Sequence, residues 1–514
     1  MSSKQTERAA TLVKQYKKDT APVKYRHYND RYIDKEPIKA HAFPLLFSAM
    51  FYDPLPDHIS YINYEAYRFL YLKNVFYAER IMERASREIP ETDPAQWISA
   101  VPAEKRSRDL GTVLIFGAAH RNGYLREKCV QHFTDDFMYH TLPTTLIRLN
   151  DWVPAVRRAA LHSLTVQLRA ENVSSEMVDA MPYVESLRHG QRAERESGFS
   201  MNLLDKFLMQ LFGTNPQDVS RAKPKNRKLC YKVFALHPDP EYRGLILQFF
   251  RNEWNSSLRR DLERIYLQMS GDAVPAAALE LFMQDPQEQV RLCAYQWRFR
   301  HDGIWEGFAD LMLSPAKSIR YFAMLHLKNT GFDAAGFCRE HLPQGLCALG
   351  DLGDASDIPR IHPYLESHPA EAMTALVKLG AEDGKSLLLR NLQGDNTKLS
   401  KAAYHLAYST KCLTQSDLLA IMQQTNNPVL QYRVCILLTK DGFWNVLPVL
   451  IRFLRDFPAI RSDLYHLIWK HTQQKQFITH ELAKEIGDAL TYAREKNTIP
   501  YEINNQILFS IRYC

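Results

Sequence analysis

Asp285-Pro286-Gln-Glu-Gln-Val290-Arg291-Leu-Cys-Ala294 is one of four stretches that share one pattern. A residue with a side-chain oxygen comes first, an apolar residue and then an arginine follow, and a small or apolar residue lies four positions after the first apolar one. Proline is the second residue in three of the copies, where its fixed φ and missing N–H suit the first position of a helix. Apolar positions four apart share a helix face, so the pattern predicts helices that start at these sites. The other copies begin at Asp151, Ser314 and Asn427.

Weaker copies of the pattern extend it into a repeat. They occur at Leu125-Arg126, Leu258-Arg259 and Leu399, and successive apolar anchors lie 29 to 33 residues apart, which is the length of one helix hairpin. Between the anchors, segments ending in Gly353, Gly380 and Gly442 predict a left-handed glycine at the end of a helix. No alternating apolar and polar stretch is long enough to predict a strand, so we expect an all-α protein.

The cap, proline, arginine and small residue in register resemble HEAT-type repeats, particularly the short bacterial form, over residues 106–514. The resemblance implies a right-handed α-solenoid of helix hairpins whose second helices line a concave face. It leaves the function open, because HEAT arrays serve as scaffolds, transport receptors, regulators, toxin-binding proteins and, in one family of alkyl-DNA glycosylases, as enzymes. The repeated arginines would form a ladder that either pairs with acidic residues and carbonyls of neighbouring repeats or faces a ligand: Arg157, Arg291, Arg320 and Arg433.

Three segments depart from the repeat. We expect residues 1–105 to form an aromatic helical module, with a long helix at 58–87 whose tyrosines are either packed between neighbours or exposed to a partner. Residues 187–228 are charged and contain glycine and proline, so irregular connections are expected on both sides of a helix at 201–212. A helix within residues 498–514 is expected to cap the array.

The composition excludes several protein classes. With 514 residues, 46% hydrophobic and 24% charged, the chain is typical of a folded protein and not of a disordered one. No apolar run reaches the ~20 residues of a membrane helix, and residues 1–18 have no apolar signal region, so a cytoplasmic location is expected. The eight cysteines are scattered, which favours free thiols over a disulfide framework.

A net charge of +7 is small for this length, but the basic residues are locally concentrated. Residues 1–40 have ten Lys or Arg against five Asp or Glu. The segment Arg221-Ala-Lys223-Pro-Lys225-Asn-Arg227-Lys228 has five basic residues in eight. Either region could contact phosphate or an acidic partner, or could be a solvated surface.

The usual catalytic motifs are missing. The sequence contains no Gly-x-Ser-x-Gly, His-Glu-x-x-His or Cys-x-x-Cys, and no histidine pair has the helical spacing of metal ligands, so neither a metal nor a cofactor is expected. One enzymatic alternative remains from the glycosylase resemblance. In that alternative the Asp151 carboxylate would stabilise positive charge on a sugar, and tryptophan and arginine would hold DNA.

The leading hypothesis is a non-catalytic protein-binding solenoid. It would be a scaffold, a regulator or a toxin-neutralising immunity-type protein, and would engage a partner on its concave face or through the N-terminal module. The alternative is a nucleic-acid-binding protein, with or without base excision. The oligomeric state is left open. The candidate binding residues are Trp152, Arg158, Trp297, Arg298, Arg221, Lys223, Lys225, Arg227 and Lys228.

Overall fold

The computed structural model describes residues 83, 93–96, 114–115, 117–135, 141–190, 192–194, 198–473 and 476–513. These residues are predominantly helical, which confirms the all-α prediction at that level. The chain divides into two compact units, residues 1–295 and 296–514. The predicted helix at 58–87 and almost all of the predicted module at 1–105 lie outside the described residues.

The first unit is built from helices that pack against others one to three positions away in chain order. Contacts join α1 to α3, α2 to α3 and α4, α4 to α7, and α8 to α9. The helices are α1 (Gly123–Gln131), α2 (Leu142–Arg148), α3 (Pro154–Gln167), α4 (Val173–Arg188), α5 (Met201–Thr214), α6 (Pro216–Arg221), α7 (Pro224–Leu236), α8 (Arg243–Asn252), α9 (Ser256–Ser270) and α10 (Ala276–Met283); α11 (Glu288–Asp302) contains the division between the units.

The second unit has the same character and one continuous core that includes residues from Met373 to Ile511. Its helices are α12 (Lys317–Leu327), α13 (Ala334–Glu340), α14 (Leu346–Leu352), α15 (Ile358–Ile361), α16 (Pro369–Lys378), α17 (Gly384–Gln393), α18 (Thr397–Thr410), α19 (Gln415–Gln424), α20 (Pro428–Leu438), α21 (Phe443–Asp456), α22 (Arg461–His471), α23 (His480–Glu495) and α24 (Tyr501–Ser510). Short 3₁₀ helices lie at His132–Thr134, Pro240–Tyr242, Phe308–Leu313, Ala355–Asp357, His362–Leu365, Thr439–Asp441 and Pro458–Ile460.

The prediction that the chain has no strand is wrong at two places. The strands β1 (Gln476–Ile478) and β2 (Ile511–Tyr513) pair in parallel, with Phe477 opposite Arg512. Each has only three residues, which is too short for an alternating pattern to stand out in the sequence. The predicted C-terminal helix is present as α24, and β2 follows it directly.

The repeated arginine closes the turn in front of its own helix. Nη1 of Arg157 donates to the main-chain carbonyl of Asp151 at 2.9 Å, six residues earlier. The repeated arginines are therefore bonded within the fold, but to the turn before their own helix and not to the neighbouring repeats that the sequence alternative named; Arg320 in addition pairs with Asp351, farther along the chain. Arg433 differs, because it donates to Oγ of Ser400 at 3.0 Å. The same six-residue contact joins Arg126 to His120, Arg291 to Asp285 and Arg320 to Ser314.

This turn shifts three of the four predicted helix starts. The start at Pro428 is confirmed, with Asn427 accepting from two N–H groups of α20. In the other copies the helix begins two residues later than predicted, at Pro154, Glu288 and Lys317. There the first side chain accepts from the N–H two residues on, which forms a tight turn before the helix rather than a cap on it. The contacts are Val153 N to Asp151, Gln287 N to Asp285 and Ala316 N to Ser314.

The glycine predictions succeed at two of three positions. Gly380 and Gly442 have φ of 74° and 124°, a region that residues with a side chain rarely adopt. Gly353 is extended instead, with φ −75° and ψ −176°. A side chain there would meet the carbonyl of Leu349, so close packing explains this glycine.

The charged segment at 187–228 is more regular than predicted. The predicted helix at 201–212 is confirmed as α5. Residues 221–228 are not an irregular connection, because α6 ends at Arg221 and α7 begins at Pro224. Pro224 suits the first position of α7, because a residue there needs no N–H donor. Arg227, one turn later, is buried and so anchors the start of this helix in the fold.

Candidate functional site

The turn between α2 and α3 is organised around the Asp151 carboxylate. Nε and Nη2 of Arg126 donate to its two oxygens at 2.9 and 2.8 Å, and Nη1 of Arg148 donates at 2.8 Å. The N–H of Val153 supplies a fourth hydrogen bond at 2.9 Å. The side chain of Asp151 has no exposed surface, so every contact of this carboxylate is internal.

These donors determine the charge of Asp151. Burial by itself raises the pKa of a carboxyl group, because it removes water from the charged form. Here the hydrogen bond from Arg126, the charge of Arg148 and the N–H of Val153 together outweigh burial, and the pKa of Asp151 lies below its ordinary value. The aspartate is therefore an ionised, fully bonded centre of the turn.

Trp152 covers this ion pair and faces outward. The guanidinium carbon of Arg126 lies 5.2 Å from the centre of the Trp152 ring. The tryptophan is nonetheless 65% exposed. A large aromatic side chain is thus held at the surface by a buried arginine beneath it.

The same arrangement occurs a second time in the first unit. Nε and Nη2 of Arg227 each donate to Glu253 at 2.8 Å, and the Tyr231 hydroxyl donates to Glu253 at 3.0 Å. Trp254 lies over Arg227 at 5.2 Å and is 72% exposed. We call the two arrangements the tryptophan sites: Arg126, Asp151 and Trp152 in one, and Arg227, Glu253 and Trp254 in the other.

A cleft of about 210 Å³ opens beside Trp152. Tyr183 lines it, and the hydroxyl of this buried tyrosine has no hydrogen-bond partner among the described residues. Burial raises the pKa of Tyr183, so the hydroxyl stays protonated. The exposed Arg192 lines the same cleft, and its main-chain N–H donates to Oδ1 of Asn150 at 3.0 Å. The cleft therefore offers an aromatic face and a cation to an incoming group, with the Tyr183 hydroxyl buried in its wall.

The predicted basic segment has both exposed and buried members. Arg227 is only 3% exposed and belongs to a tryptophan site, so it is not a surface contact. Its Nη1 also donates to the carbonyl of Ala222 at 2.5 Å, which holds the start of the segment against the arginine beneath Trp254. The exposed basic residues of the segment are Arg221, Lys223, Lys225 and Lys228.

The remaining predicted site residues fall into separate places. Arg158 is exposed on α3, in the first turns after Trp152. Trp297 and Arg298 belong to the other unit and are half-buried. Trp297 stacks on His301, with 3.8 Å between the ring centres, and Arg298 lies 4.5 Å from the centre of the Trp305 ring.

Glu253 and Trp254 were not among the sequence candidates. A signal for them exists, because Asn252-Glu253-Trp254 matches Asn150-Asp151-Trp152 in residue type. Both tripeptides precede an apolar-Arg-Arg segment, at Leu258 and at Val156. The copy at Leu258-Arg259 matches the repeat only weakly, because its first residue is a glutamate, which is not a common helix cap, and no proline follows it.

No protein-family model matches this chain, and no curated protein is significantly similar to it. Within the described ranges, no group of three or more His, Cys, Asp or Glu side chains is placed to hold a metal ion. No helix among the described residues combines the length and the apolar character needed to cross a membrane.

Proposed function

We propose that this chain is a non-catalytic protein-binding protein that grips an acidic partner with Trp152 and Trp254. The main observation in support of this proposal is that an exposed tryptophan lies over a buried arginine–carboxylate pair at two places. Tryptophans held in this way lose little freedom on binding, and such residues dominate the energy of protein interfaces. A scaffold, a regulator and a toxin-neutralising protein all fit this class.

Charge around the two tryptophan sites supports the acidic character of the partner. Arg192 lines the cleft beside Trp152, and Lys223 follows Ala222, whose carbonyl contacts the arginine beneath Trp254. The acidic residues at both sites are buried and already paired. An approaching surface therefore meets aromatic rings and the exposed cations Arg192 and Lys223, which favours carboxylates on the partner.

A HEAT-type solenoid, with a concave binding face, is part of the proposal. The packing of helices against others close by in chain order and the recurrence of the arginine-closed turn support it. We also propose a cytoplasmic location. Its support is the seven free cysteines among the described residues, since free thiols are usual where the environment is reducing.

Affinity purification with three tagged proteins tests the proposal. These are the wild type, the Trp152→Ala/Trp254→Ala variant, and a Tyr321→Ala control at a residue that is 62% exposed in the second unit. One protein should co-purify at fixed stoichiometry with the wild type and the control, and binding should fall by about tenfold or more in the double variant. Equal recovery with all three proteins contradicts the proposal.

Nucleic-acid binding is the second candidate, favoured by the four exposed basic residues of the segment 221–228. Nucleic-acid binding predicts an affinity that falls steeply as the salt concentration rises, since phosphates neutralised by the protein release counterions. Changing Arg221, Lys223, Lys225 and Lys228 to serine should then abolish binding to duplex or single strands. The base-excision version has little support, because it needs an accessible carboxylate and that of Asp151 has no exposed surface.

A further inference from the structure

A second surface, in the unit formed by residues 296–514, has the opposite charge. A groove of about 700 Å³ runs between the start of α21, the strand β1 and the first turns of α23. This volume is in the range of about 300–1,000 Å³ that is usual for ligand sites. We call it the β1 groove, and the residues that carry its chemistry are Trp444, Phe477, Glu481 and Glu485.

The apolar part of the β1 groove is aromatic and firmly held. Phe477 on β1 is 65% exposed, and the half-buried Trp444 makes an edge-on contact with Phe443 at 5.5 Å. Phe443 is itself buried and stacks on His471 with 4.8 Å between the ring centres. The groove therefore presents the exposed Phe477 ring and a Trp444 ring that is supported from behind by Phe443.

The polar part of the groove is acidic. Glu481 and Glu485 are both exposed and lie four residues apart, on one face of α23. Neither carboxylate forms an ion pair with any described residue. Like charges at this spacing repel each other, so a cation placed between them would be stabilised by both.

From this combination we propose that the β1 groove binds an extended, basic peptide segment of a partner protein. Lysine or arginine side chains of that segment lie between Glu481 and Glu485 and over the aromatic rings, where a cation is attracted to the ring face. The aliphatic stems and intervening apolar residues cover Trp444 and Phe477. Charge selects this occupant, because the two carboxylates repel phosphates and acidic peptides.

Fluorescence anisotropy with labelled hexapeptides tests the proposal on the full chain. The probes are alternating Lys-Val and Arg-Leu peptides, with an alternating Glu-Val peptide for comparison. Both basic probes should bind at low salt and the acidic probe should not. The variant Glu481→Gln/Glu485→Gln should weaken binding by about tenfold or more, and Phe477→Ala by several-fold.

The matched control is Glu495→Gln, which removes the same charge at an exposed position outside the groove on the same helix. It should leave affinity unchanged, and circular dichroism should show that all variants are folded. Failure of both basic probes to bind overturns the proposal, as does equal binding to the glutamine double variant. This test does not involve Trp152 or Trp254, so its outcome is independent of the proposed function.

Discussion

Arg126 and Asp151 lie 25 residues apart in the sequence and are joined side by side through two hydrogen bonds of 2.9 and 2.8 Å. The arginine belongs to one copy of the repeat and the aspartate begins the next. A buried pair of this kind links successive repeats at close to the repeat length. Two further pairs, each 26 residues apart, are Arg227 with Glu253 and Arg259 with Asp285.

Asp151→Asn should destabilise the first unit. The substitution removes the charge that faces Arg126 and Arg148 and leaves both buried arginines without their counterion. Breaking a buried ion pair on one side costs about 3–5 kcal/mol. Urea unfolding followed by circular dichroism should show a lower midpoint. Asp395→Asn, at an exposed position, is the control and should leave the midpoint unchanged. A normal midpoint for Asp151→Asn would show that the pair contributes little.

Two substitutions within the basic segment should have different effects. Arg227→Ser removes the partner of Glu253 and leaves a buried carboxylate, so unfolding should occur at clearly lower urea concentration. Lys225→Ser changes an exposed side chain and should alter stability by less than about 0.5 kcal/mol. Both substitutions lie in the same segment, so the comparison separates the effect of burial from that of sequence position. Equal effects would contradict the placement of Arg227.

Glu263 should make the stability of the chain depend on pH. It is fully buried, and its contact with the Cys293 side chain, which favours the ionised form, does not offset the burial. Burial raises its pKa to about 9, with the charge of Asp285 acting in the same direction. Between the ordinary value of 4.5 and this value, the folded state keeps a proton that the unfolded state has lost. Stability therefore falls as pH rises, by up to about 1.4 kcal/mol per pH unit.

Glu263→Gln removes this proton equilibrium and keeps the shape of the side chain. The variant should be more stable than the wild type at pH 8, and the difference should shrink as the pH approaches 5. Urea midpoints measured from pH 5 to 9 test this. Parallel curves for the two proteins would mean that Glu263 ionises normally.

Alkylation should distinguish the cysteines by burial. Cys230 and Cys435 are fully buried, and burial raises the pKa of both thiols, that of Cys435 to about 12. The reactive thiolate is therefore scarce as well as shielded. Cys412 is only half-buried and should react with iodoacetamide at pH 8 before Cys230 and Cys435. Mass spectrometry of peptides from the native protein reads out the order. Early labelling of Cys230 would contradict its burial.

The sequence by itself was sufficient for the features that depend on residues close together in the chain. The helix at Met201–Thr214, the start of α20 at Pro428 and the all-α class all follow from apolar spacing, caps and proline, which act within a few residues. The repeat left open whether Arg157, Arg291 and Arg320 pair with neighbouring repeats or face a ligand, and their hydrogen bonds to the turn before their own helix were not predicted.

Only the tertiary structure decided which side chains meet across repeats. Arg227 and Lys225 look alike in the sequence, yet one is buried against Glu253 and the other is exposed. The short strands β1 and β2 pair although they are far apart in the chain. Such outcomes depend on how neighbouring helices stack. Where the helices meet, a charged side chain is buried and must form an internal ion pair, whereas Trp152 and Trp254 stay at the surface.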